Sequence, residues 1–210
     1  LSLRVLQFRG RGLDADLLDV TAKTRAFAHL WMSASVSQPV SRRAEASFRA
    51  LTGLPAAKRS YLWSGEKPLN VGTLGELAVP AMLAAKAEGR EIGHGQGTGR
   101  RYEPFVAAIG RWLKRLGVIE SFQLERVSKH RKDYEVRVKR SPQSTEVLIT
   151  DVGVGVSQVL PVLVQSFYAQ KGSPVIFEQP EIHLHPRVQA DLADVLIEAS
   201  KLSEVQFIVE

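Results

Sequence analysis

The chain has 210 residues, 44% of them hydrophobic and 24% charged, with no cysteine and a formal net charge of +6. The missing thiols exclude disulfides and thiolate metal sites, and no apolar run approaches the roughly 18 residues of a transmembrane helix. The length suits one sizeable domain, or one with a small companion. Starting at Leu1 with neither the basic start nor the apolar core of a signal peptide, the sequence is expected to be a fragment of a longer cytoplasmic protein.

The charge is unevenly placed. Residues 1–150 carry 25 Lys and Arg against 14 Asp and Glu, a balance of +11, whereas residues 151–210 carry 3 against 8, a balance of −5. The cations are densest between Arg100 and Arg140, at Arg100, Arg101, Arg111, Lys114, Arg115, Arg126, Lys129, Arg131, Lys132, Arg137, Lys139 and Arg140. Such a face could meet nucleic acid, or it could be a solvated surface, the commoner fate of charge runs.

Along the chain, Leu3 to Phe8 alternates weakly and reads as a short strand, followed by the turn-prone Arg9-Gly10-Arg11-Gly12. From Asp14 to Trp31 the spacing of Leu17, Leu18, Thr21, Arg25 and Ala28 is read as helix. A second, Arg-rich helix is expected from Ser41 to Leu51. Lys58 to Glu76 changes texture: Gly65, Gly72, Gly75 and Pro68 set turns between Tyr61, Trp63 and apolar residues. A loop of that length either packs under its own aromatics or touches a ligand. Helix is expected again from Leu74 to Ala87.

Gly93 to Gly99 alternates glycine with polar residues. With no clear strand before it and no Lys-Ser/Thr after it, it reads as a mobile linker rather than a phosphate loop. Tyr102 to Leu116 is amphipathic, with Phe105, Ile109, Trp112, Leu113 and Leu116 on one side and cations near the C-terminal end, before Gly117 stops it. Ser121 to Asp151 then switches to alternation, predicting three short antiparallel strands with one wet, basic face.

The third of these strands runs into Asp151-Val152-Gly153-Val154-Gly155-Val156-Ser157-Gln158. Two glycines one residue apart let backbone amides turn toward a common point, and Ser157 is placed to cap an apolar helix from Val159 to Tyr168. A glycine loop before a helix N-terminus suits an anion, and equally suits a tight turn that binds nothing. Pro161 blurs where that helix begins.

The rest is organised around Val175 to Pro186, V-I-F-E-Q-P-E-I-H-L-H-P. A run from Val175 to Phe177 reads as a strand buried on both faces. It stops at Glu178, followed by Glu181, His183 and His185, and Pro186 opens a helix to about Ser200. Val205 to Val209 is a second buried strand, ending at Glu210. Strand, helix and strand predict a right-handed parallel unit that brings Glu178 and Glu210 to the carboxyl edge of a sheet, where open α/β sheets bind ligands.

D-V-G-V-G-V-S-Q-V-L-P-V-L, then V-I-F-E-Q-P-E-I-H-L-H-P, then V-Q-F-I-V-E resembles the C-terminal half of an ABC-type ATPase of the SMC, RecF and OLD-like group, within the wider AAA and P-loop NTPase class. The closest likeness is to a bacterial branch of ATPases whose Walker B region reads E-Q-P-E-x-H-L-H-P. The resemblance is strong over residues 145–210 and weaker over R-x-Y-x-W-S-G and Tyr102 to Asp151. It implies an α/β fold, a partial P-loop NTPase core with a parallel βαβ unit, a small antiparallel meander and a helical insertion. The expected division is a mainly helical lobe over residues 1–120 and the ATPase C-terminal half over residues 121–210.

The resemblance further implies ATP and Mg²⁺ as cofactors. Glu178 matches the Walker B acid that holds Mg²⁺, and Gln179 stands where relatives carry a catalytic glutamate. Since glutamine cannot act as a base, Glu181 is the candidate substitute. His183, Leu184 and His185 fall on a dimer-contact loop. Gly153 and Gly155 fall on a signature loop that binds the γ-phosphate of the opposite subunit, with Ser157 and Gln158 just beyond. The Walker A pattern G-x-x-x-x-G-K-[ST] occurs nowhere, so these residues alone are not expected to hydrolyse ATP. The implied function is an ATP-driven dimerisation switch in DNA repair or phage defence, with DNA and a partner nuclease or effector as possible partners. Two other readings stay open: a metal-dependent hydrolase using Glu178, Glu181, His183 and His185, and a basic nucleic-acid-binding module.

Overall fold

A computed structural model of the chain describes residues 3–8, 15–20, 50–51, 57–94, 101–181 and 184–209. The first strands are β1 (Leu3–Phe8) and β2 (Ala15–Val20), which form an antiparallel hairpin with Leu3 opposite Val20 and Phe8 opposite Ala15. This corrects the helix expected from Asp14. A partner strand close by in sequence offers Ala15–Val20 six registered pairs, and that ladder outweighs a helical spacing that was irregular from the outset. Residues 21–49 lie outside the described residues. Of the helix expected to end at Leu51, Ala50–Leu51 is instead a short strand, β3, pairing in parallel with residues 176–177. Tertiary pairing overrides local propensity there too.

Tyr61–Leu62 is β4, and the first described helix, α1, spans Ala78–Ala87. It starts four residues later than Leu74. The Gly72–Gly75 turn occupies those positions, and the Glu76 carboxylate accepts from the Leu74 amide at 3.0 Å. Pro80 falls in the first turn, where its missing N–H leaves no helical bond unmade. A hairpin follows, β5 (Glu91–His94) with β6 (Arg101–Pro104). A strand therefore does precede the glycine-rich segment, of which residues 95–100 lie outside the described residues. Pro104, extended at φ −55° and ψ 141°, delays the next helix, α2, to Phe105–Arg115 rather than Tyr102.

The meander forms as expected. The strands β7 (Ser121–Arg126), β8 (Asp133–Lys139) and β9 (Val147–Leu148) are antiparallel, with Leu124 opposite Val136 and Val138 opposite Val147. β4 joins them along β8, Tyr61 opposite Tyr134. One 3-10 turn later, helix α3 runs from Val154 to Tyr168. Then come β10 (Pro174–Phe177), α4 (Pro186–Ser203) and β11 (Gln206–Val209).

The main sheet has the order β2-β1-β11-β10-β3. β10 and β11 are parallel, Phe177 level with Val209, and β1 is antiparallel to β11. Strands from residues 1–120 and from residues 121–210 thus share one sheet. The βαβ expectation holds through Val209, and Glu210 lies outside the described residues. α3 runs through the core against α1, α2 and α4. Phe167 on α3 stacks on Trp112 of α2 at 6.0 Å between ring centroids, and Phe177 stacks on Phe207 at 5.7 Å.

Candidate functional site

The start of α3 and the turn after β10 carry the candidate residues that the sequence pointed to. Gly153 is the N-cap of α3 at φ 88° and ψ 166°, a conformation open essentially to glycine alone, and no side chain caps the helix. The helix begins five residues before Val159. Ser157 is therefore inside it, four residues beyond the N-cap, and does not serve as the expected cap. The first-turn amides belong to Val154, Gly155 and Val156, so the glycines sit at the positive end of the helix dipole itself. Gln158, one step deeper, is buried, and its side-chain oxygen has no hydrogen-bond partner among the described residues. Pro161 lies within the helix and supplies no N–H to the carbonyl of Ser157 four residues back.

β10 ends at Phe177, which is fully buried, and hands the chain to Glu178, which is half-buried. Gln179 is exposed and left-handed at φ 48°, and Pro180 is buried. This reversal turns the chain back toward α4. The Glu181 carbonyl accepts from the Leu184 amide at 3.0 Å, and the Gln189 side chain donates to the carbonyls of Glu181 and Leu184 at 3.3 and 3.0 Å. His185 caps α4: its Nδ1 accepts from the Arg187 amide at 3.3 Å. That role is structural. His183 lies outside the described residues.

Packing brings the two halves of the site together. Leu184 is buried, and its Cδ2 lies 3.8 Å from where a Cβ would stand on Gly155. The glycine start of α3 thus meets Leu184, the residue that leads from the turn after β10 into His185 and α4. Glu178, Glu181 and His185, by contrast, do not converge: no group of three His, Asp or Glu side chains suited to a metal occurs among the described residues. The Asp151-to-Gln158 segment thus meets the chain after the β10 turn at Leu184, while the multi-ligand metal centre considered for the turn's residues does not assemble from its described members.

The aromatic loop lies closer to α3 than its glycine and aromatic texture alone implied. A shallow cleft of about 20 Å³ lies between Lys58, Tyr61 and Glu76 and, on α3, Ser157 and Pro161. Burial raises the Tyr61 phenol above its usual range, offset by the Lys58 amide, which donates to it at 3.1 Å. Only the glycine and aromatic texture of the loop signalled this. At the far end of α3, Arg90 donates to the carbonyls of Tyr168 at 2.9 Å and Phe167 at 2.6 Å, lying against the rings of Phe105 and Tyr168. It closes the helix C-terminus, and burial lowers its pKa. No sequence pattern announced that clamp.

Residues 111–210 match a family model described as an AAA ATPase domain. The matched span begins inside α2 and takes in the meander, α3, β10, α4 and β11, and with them Gly153 to Gln158 and Glu178 to His185, but not Lys58, Tyr61, Glu76 or Arg90. This part of the chain is similar to an ATPase domain, and its mixed α/β architecture with four described helices is consistent with that similarity. No curated protein gives a significant match to the chain. Among the described residues, no helix is long and apolar enough to cross a membrane.

Proposed function

We propose that residues 111–210 supply part of an ATP-binding and ATP-hydrolysing site, in an ABC-type arrangement of the SMC, RecF and OLD-like kind. The observation that carries this reading is the approach of Leu184 to Gly155, which sets an uncapped glycine-led helix N-terminus against the segment that follows an acid leaving a buried parallel strand. The similarity to an AAA ATPase domain covers both elements.

The residues fit the nucleotide unequally. Glu178 is a hard carboxylate at a sheet edge, the donor type that Mg²⁺ prefers, and it would hold that ion through one oxygen or an intervening water. Mg²⁺, when bound, would neutralise charge on the phosphates. Gly153 and Gly155 would present first-turn amides to a terminal phosphate, and Ser157 and Gln158 would line its approach. Gln179 orients water without accepting its proton, which leaves Glu181 to act as the base. The phosphate-cradling lysine loop has no counterpart in these residues, so the site is completed by other chain. A second copy, meeting the first through Gly153 to Gln158 and His183 to His185, would make ATP a dimerisation switch. DNA repair or phage defence, in the cytoplasm and with a nuclease or other effector, is the setting this chemistry suits.

The test is ATP turnover by the intact protein and its Glu178→Gln variant, with binding of a fluorescent ATP analogue measured in parallel. Turnover should fall to background while the analogue still binds. Equal turnover in the two proteins removes Glu178 from the site and the reading with it.

A further inference from the structure

The basic stretch of the sequence is resolved by the fold into two populations. Arg111 is paired with Glu103, Lys114 with Glu120, Arg115 with Glu198 across to α4, and Arg137 with both Glu125 and Glu135. On the charged face of the β7–β8 ladder itself, Arg137 and Lys139 stand against Glu125, Asp133 and Glu135, so that face is balanced, contrary to the basic face that alternation alone suggested. At the turn joining those strands the balance differs. Arg126, Lys129, Arg131 and Lys132 fall within seven residues that contain no carboxylate, and all four are exposed. Of these, only Arg131 has an ion pair among the described residues, with Asp133 at 2.8 Å.

This tip is built rather than loose. Arg126 Nε donates across the turn to the Arg131 carbonyl at 2.7 Å, and the Arg131 amide donates to Ser128 at 3.2 Å. The Val127 amide bonds to Asp133 at 2.9 Å, and the Trp63 amide reaches the Lys132 carbonyl at 3.0 Å, tying the tip to the aromatic loop. Trp63 in turn packs edge-on against Tyr134 at 6.2 Å. The backbone that carries the cations is fixed before any partner arrives, so less ordering entropy opposes binding.

We propose that the β7–β8 tip is a phosphate-backbone contact for duplex nucleic acid, made by Lys129 and Lys132 with Arg126 and Arg131. A closely spaced cation cluster gains most from the partner of highest linear charge, and a duplex carries one negative charge per roughly 1.7 Å of axis. An anionic bilayer would call for an apolar face to insert, and among the described residues only Leu62 and Val127 flank the tip as exposed large apolar side chains. The contact is assigned to phosphates, which fix position on a duplex without carrying sequence information, so binding is expected to a duplex of any sequence. The proposal does not depend on ATP, and it concerns a surface on the meander rather than the β10 edge.

The experiment is fluorescence anisotropy of the purified protein with a labelled random-sequence duplex across a salt series, in the absence of nucleotide. Lys129→Ala/Lys132→Ala should reduce the steepness of log K against log salt by about 2, one phosphate per lysine. Lys114→Ala, which removes a cation already held by Glu120, should leave the slope unchanged. Both variants alter exposed side chains, and matching thermal unfolding curves certify the comparison. Failure of the protein to bind the duplex, or an unaltered slope in the double variant, overturns the assignment. So does tighter binding, at equal salt, to phosphatidylserine vesicles or to polyglutamate.

Discussion

Gly153 and Gly155 sit two residues apart in the same glycine pair and are under different constraints. Gly153 adopts φ 88° with open space where a Cβ would stand, so its requirement lies in the backbone; Gly155 is helical and faces Leu184 at ordinary contact distance. Gly153→Ala should therefore cost about 1–3 kcal/mol of stability, while Gly155→Ala should be close to neutral, as read from paired urea denaturation curves. An equal loss in both would mean that the loop tolerates neither side chain for a steric reason that the structure lacks. Tyr168 makes a second case at this scale. Burial pushes its phenol up to about 12 from 10.0, reinforced by Glu88 and offset by Arg90, while its hydroxyl donates to the Pro68 carbonyl at 2.7 Å. The raised native value means that unfolding releases a proton between pH 10 and 12, so stability falls as pH rises through that window. Tyr168→Phe should flatten this alkaline decline, at a loss of about 0.5–1.5 kcal/mol near neutral pH for the missing hydrogen bond.

α2 shows how far the sequence could be read at the level of an element, and where it stopped. The apolar positions Phe105, Ile109, Trp112, Leu113 and Leu116 were legible as one face, and all are buried. What they face was not legible: Trp112 stacks on Phe167 of α3 while Arg111 and Arg115 lie against the same indole at 5.1 and 4.8 Å. Trp112→Ala should cost about 3–5 kcal/mol in equilibrium unfolding, and Trp112→Phe distinctly less, because the ring stack survives in part. Periodicity finds a buried face without naming its partner. The same limit explains β2 and β3, where Ala15–Val20 and Ala50–Leu51 become strands through pairings that no local window contains. At the candidate site, the β10–α4–β11 unit could be read because β-branched runs, a proline at the first helical position and a charged strand end are all local signals. The start of α3 was misjudged by five residues because Pro161 looked like a boundary, and a helix can carry a proline once its neighbours hold it.

Over the whole molecule, the sequence is acidic in balance over residues 151–210 and basic over residues 1–150. Glu178 and Glu181 belong to the acidic part, where a divalent cation and its phosphates would be received, while the cationic tip stands on the meander. Two anionic ligands could thus be held without competing for the same groups. The order of strands in the main sheet has a further bearing, on the time course of folding. Arg4 pairs with Val209, so the ladder between β1 and β11 joins residues separated by nearly the whole described chain. The β1–β2 hairpin is local and can close within microseconds, and the meander is almost as local. Docking the hairpin requires β11, at the far end of the described chain, and such long-range closure slows folding. Until then β11 presents an unpaired apolar edge, and the interval before that edge is covered is when the chain is most exposed to association with its own copies.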